Sequence, residues 1–108
     1  MTAVINTRLG PYREGDTLPD WIFTITGLAD PARWTDAEFD IETPSDTDFD
    51  LGTSTWVLSV DGDDLIVTVT PDPTVTLVSP GYYKGSIVLT DGPSRQSVQP
   101  FSFFVQHI

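Results

Sequence analysis

The chain has 108 residues, the length of one domain, and its 39% hydrophobic and 11% aromatic content suffices for a core, which excludes disorder along its whole length. With no cysteine and a single histidine, His107, it lacks the parts for disulfides, thiolate catalysis, Cys-ligated zinc and most proton-shuttling mechanisms. Its net charge of −11 disfavours nucleic-acid phosphates and anionic membrane surfaces as partners, and favours solubility and attraction to a basic partner.

The charge is unevenly spread. Residues 30–72 hold twelve acids and one base, Arg33, and so carry −11, whereas residues 1–29 sum to −1 and residues 73–108 to +1. One end or face of the folded chain is therefore expected to be negative and the rest close to neutral, a pattern that orients docking.

Residues 1–8 lack the apolar run of a signal peptide, and no stretch is long enough to span a bilayer. Synthesis in a cytoplasm, followed by use there or release without secretion, is the expectation. Residues 1–12 read as an extended arm. Ala3-Val4-Ile5, like the terminal residues 103–108, is apolar enough to pair with a neighbouring chain.

Period-two alternation then marks six strands. Trp21, Phe23 and Ile25 share one face, as do Ala37, Phe39 and Ile41. The same holds for Trp56, Leu58 and Val60, and for Leu65, Val67 and Val69. Tyr83, Ile87 and Leu89 form the fifth set, and Phe101, Phe103 and Val105 the sixth. Asp61-Gly62-Asp63-Asp64 and Asp91-Gly92-Pro93-Ser94 read as tight turns. Residues 44–54 form the longest turn-rich stretch, and residues 74–78, between Pro73 and Pro80, have room for either a short helical turn or a plain loop. Pro100 marks an edge position or a bulge. Together these features predict one all-β domain over residues 1–108, a small antiparallel immunoglobulin-like β-sandwich of six to eight strands with an aromatic core.

Few residues suggest chemistry. In a strand, Asp36, Glu38, Asp40 and Glu42 all point to one face about 6.6–7 Å apart, which reads as a solvated sheet face rather than a catalytic pair. Asp46, Asp48 and Asp50 resemble the start of a calcium loop. Leu51 and Val57 occupy the positions where an EF-hand requires Gly and Glu, so they remain weak candidates for an irregular calcium site, and neither a bound metal nor another cofactor is expected. No catalytic residues are expected, and Gly81-Tyr82-Tyr83-Lys84-Gly85 fits no nucleotide fingerprint. The aromatics Trp34, Tyr12, Tyr82, Phe49 and Phe104 fall in loops or on the parity opposite the core. Two or three exposed together would make an interface anchor, with Trp34 and Tyr82 foremost.

Three segments carry a resemblance to a known family: Arg13-Glu14-Gly15-Asp16-Thr17 before the strand at residues 21–26; Trp34-Thr35-Asp36-Ala37-Glu38-Phe39-Asp40-Ile41; and residues 65–78 followed by Ser79-Pro80-Gly81-Tyr82-Tyr83 and the strand that it opens. Their order resembles the N-terminal domain of phage baseplate upper proteins and the related stand-alone Ig-like virion proteins of tailed phages, over residues 13–105. The resemblance implies a non-enzymatic virion protein, assembled in the bacterial host cytoplasm, that binds other virion proteins, major capsid or tail, with room for a homo-oligomer on the particle. A capsid decoration or cementing role is the first expectation and a tail or baseplate adaptor the second. A calcium- or carbohydrate-dependent host-surface binding module, using Trp34, Tyr12 or Phe49 with the loop acids, is the third.

Overall fold

Each alternating run becomes a strand, and short pairings that periodicity does not mark complete the sheets. The computed structural model describes residues 3–7 and 9–108; Met1, Thr2 and Arg8, within the expected arm, lie outside the described residues. In chain order the strands are β1 (Val4–Ile5), β2 (Tyr12–Arg13), β3 (Trp21–Thr26), β4 (Asp36–Glu42), β5 (Thr55–Asp61), β6 (Asp64–Thr70), β7 (Gly81–Asp91), β8 (Ser94–Ser97) and β9 (Phe101–Gln106).

One sheet has the order β1-β3-β6-β5. The other has the order β2-β9-β7-β4, with β8 also on β7. This is the strand arrangement of an immunoglobulin-like sandwich: four strands in A-B-E-D order face a C-F-G sheet. The expected count of six to eight strands rises to nine, because β1, β2 and β8 are two to four residues long. All pairings are antiparallel except β2 with β9, where Tyr12 lies opposite Val105. The segment read as an arm pairs within its own chain: Val4 faces Thr26, and the Ala3 carbonyl accepts from Gln99 N at 2.9 Å. Residues 101–105 likewise pair with β7, while β1 forms the edge of its sheet.

Both tight turns form. Gly62 (φ 61°) and Gly92 (φ 59°) supply the left-handed first position of two-residue hairpins joining β5 to β6 and β7 to β8. Pro100 lies in the break between β8 and β9, where no ladder bond is needed. No helical turn forms at residues 74–78. That backbone bonds instead to residues 15–18: Leu77 N donates to the Asp16 carbonyl, and Leu18 N to the Val75 carbonyl, both at 2.8 Å. Among the described residues the one helical piece is a 3-10 turn at Pro31–Arg33.

The core is aromatic. Phe103 stacks on Tyr83 (4.9 Å, 13°) and meets Trp21 at 5.3 Å, while Phe23 contacts Phe39 and Phe101 at 5.9 and 5.1 Å. Two buried polar groups are satisfied. The Tyr83 hydroxyl donates to the Ser79 carbonyl (2.9 Å), the tyrosine-corner bond of immunoglobulin-like sandwiches, and Trp21 Nε1 donates to the Tyr12 hydroxyl (2.9 Å).

Asp72 ties two loops together. Its carboxylate accepts from Thr53 N (3.0 Å), Thr74 N (2.9 Å) and the Thr74 hydroxyl (2.7 Å), and it is 9% exposed. The Thr53 amide foremost, then the Thr74 amide and hydroxyl, hold its carboxyl down at about 2 against an ordinary 3.8. Because the folded-state value is the lower one, this stabilisation is present above about pH 4 and fades as pH falls toward 2. Asp72→Asn is expected to lower Tm at pH 7 by on the order of 10 °C and to flatten the loss of stability between pH 4 and 2. Denaturant melts across that pH range check it, and parallel curves for the two proteins would contradict it.

Candidate functional site

The two outer faces differ in chemistry because the strands that form them differ in their outward residues. On the four-stranded sheet, register places Ile22, Thr68 and Val57 in one row and Thr24, Ile66 and Ser59 in the next, all uncharged. Ile22 and Val57 are 56% and 68% exposed. On the five-stranded sheet, β4 turns Asp36, Glu38, Asp40 and Glu42 outward, as the alternation predicts. Glu38 is held by a two-pronged bond from Arg95 (2.8 and 3.1 Å), which lowers its carboxyl below the usual range and raises the guanidinium. Both groups are exposed, so the pair contributes little stability. Charges along β4 also oppose pairing of this edge with another copy.

At the far end of the same face stand Tyr82 and Phe104. They are register partners across β7 and β9, their ring centroids 4.9 Å apart, and they are 64% and 36% exposed. Their inward neighbours, Tyr83 and Phe103, are the stacked core pair, so the aromatics of this strand pair divide by parity between core and surface.

The other three aromatic candidates are not exposed anchors. Trp34 is 8% exposed: the 3-10 turn at Pro31–Arg33 delivers its indole into the core, and the Arg33 guanidinium covers it 4.9 Å from the ring centre. Loss of Trp34 would therefore weaken the fold itself rather than only a contact surface. Tyr12 meets Phe103 edge-on at 5.6 Å, and Phe49 meets Tyr83 edge-on at 5.4 Å; both are half-buried against the core.

The loop acids do not converge. Asp46 adopts φ 60° and lies 4.0 Å from Lys84 Nζ, Asp48 sits opposite Glu42 in an isolated backbone β-pairing, and Asp50 accepts from Gly52 N at 2.8 Å. Among the described residues no group of three His, Cys, Asp or Glu is placed to hold a metal ion. His107 meets Glu14 at 3.0 Å in solvent.

One feature lies outside the sequence reading: a groove of about 440 Å³ where the β4 and β5 edges meet the loop at residues 48–54. Phe39, Phe49 and Trp56 line it together with Asp40, Asp48 and Asp50. The acidic, aromatic composition of residues 39–56 hints at it, but only the packing of one sheet edge against the other creates it.

No model of a known protein family matches the chain, and no curated protein is similar to it.

Proposed function

We propose that the protein is a non-enzymatic structural module of a tailed-phage virion that docks on other virion proteins through the Tyr82–Phe104 face. The exposed aromatic pair carries this reading. Paired aromatics 4.9 Å apart on a rigid sheet, 64% and 36% exposed, are the composition of an interface core rather than of a solvated face. The immunoglobulin-like strand order and the segment order that resembles phage Ig-like virion proteins agree with it. The acidic β4 row would face solvent or a basic patch on the shell, and many copies on one particle would give avidity to individually weak contacts. Decoration or cementing of the capsid fits a small module of this kind best; an adaptor at the tail or baseplate is the alternative location.

The Tyr82→Ala/Phe104→Ala double variant is expected to leave Tm within a few degrees of the parent and to lower occupancy on particles at least about tenfold. Particle-bound protein, quantified after sedimentation, checks this. Parental occupancy of the double variant would overturn the docking face.

A further inference from the structure

On the β4 edge the carbonyls on both sides of Phe39 are capped, but Phe39 itself is not. The Ala37 carbonyl accepts from Trp56 Nε1 at 3.1 Å, and the Ile41 carbonyl from Phe49 N at 2.8 Å. In an antiparallel ladder alternate residues aim their backbone groups to the same side, so residues 37, 39 and 41 all present theirs to this edge, away from β7. Phe39 N–H and C=O therefore open on the groove, with no partner among the described residues.

The groove around this gap has a definite chemistry. Phe39 and Trp56, 4.7 Å apart, line it with Phe49, and Asp40, Asp48 and Asp50 line it too. Among the described residues none of these three carboxylates has a basic side chain within 4.0 Å: Arg33, Lys84 and Arg95 lie against Asp91, Asp46 and Glu38. Aromatic faces beside unneutralised carboxylates favour a cation, and an unpaired piece of strand edge favours an extended chain. The volume of about 440 Å³ has room for a side chain together with its backbone.

We propose that this groove binds an extended basic segment of a partner protein, which pairs its backbone with Phe39 and seats a lysine or arginine side chain between the aromatic wall and the carboxylates. The site is separate from the Tyr82–Phe104 face and stands or falls independently of where the protein is assembled.

The test uses the full chain and the peptide acetyl-Thr-Lys-Thr-Arg-Thr-Lys-Thr-amide, titrated at low salt by calorimetry and by tryptophan fluorescence, with amide exchange at Phe39 followed in parallel. Saturable one-to-one binding is expected, with slower Phe39 exchange in the complex. Asp40→Asn/Asp48→Asn should weaken binding at least about fivefold, whereas Asp61→Asn/Asp63→Asn, which removes the same charge at the β5–β6 hairpin, should change it less than about twofold. Urea melts establish that both variants fold. Absent binding, equal weakening in the two variants, or unchanged Phe39 exchange would each overturn the proposal.

Discussion

Replacing Phe103 with alanine is expected to lower the unfolding free energy by about 3–5 kcal/mol, whereas the same change at Phe104, one residue along, costs under about 1 kcal/mol. Phe103 is 2% exposed and lies against Tyr83, Trp21 and Tyr12, with centroids 4.9, 5.3 and 5.6 Å away. Removing its ring withdraws one aromatic from a cluster that joins both sheets, and the surrounding rings are too rigid to collapse into the space. Against a total stability of about 5–15 kcal/mol, that is a large share of the margin. Phe104 projects from the opposite side of β9, where it is 36% exposed and meets Tyr82 rather than the core. Equilibrium urea denaturation of the two variants checks the contrast; similar losses would mean that the β9 register is wrong, since a one-residue slip exchanges the two faces.

Gly85→Ala is the second large effect, and it arises from crowding rather than a cavity. Gly85 lies opposite Phe101 on β9 and opposite Ile41 on β4, on the inward parity of β7. An alanine methyl there would fall on the Phe101 ring, which lies across the position and reaches Phe23 at 5.1 Å. Backbone strain is not involved, since φ at Gly85 is ordinary. Overpacking of this kind costs about 1–3 kcal/mol, a fall in Tm of roughly 5–20 °C. Phe101→Leu in the same chain should return part of that loss, because it frees the overlapped volume, so the double variant should be more stable than the two single losses predict. Strict additivity in thermal melts would contradict the ring-over-glycine arrangement.

Much of this architecture is legible in the chain because period-two alternation is a direct record of which side chains face inward. The six long strands, both glycine hairpins and the outward acidic row on β4 follow from it. Tyr82 and Phe104 were legible for the same reason, lying opposite Tyr83 and Phe103 in parity. Trp34, Tyr12 and Phe49 were not. Trp34 and Phe49 lie in connections and Tyr12 in a two-residue strand, where parity carries no information and a tertiary contact decides burial. The strands β1, β2 and β8 escape for a related reason: two to four residues are too short to alternate, and Ser94–Ser97 has no apolar side. Between Pro73 and Pro80 the choice between a helical turn and a loop falls to the loop through backbone bonds with residues 15–18, a long-range pairing that local pattern does not encode. The groove depends on two sheet edges and a loop meeting in space, so only its acids and aromatics are visible along the chain.

Quantitative mass spectrometry of purified phage particles from the source, with heads and tails separated, decides whether this sandwich is a virion module. Hundreds of copies per particle in the head fraction, lost in the Tyr82→Ala/Phe104→Ala variant, are the expected result. A few dozen copies in the tail fraction would move the docking face to an adaptor role, and absence from both fractions would contradict the virion assignment.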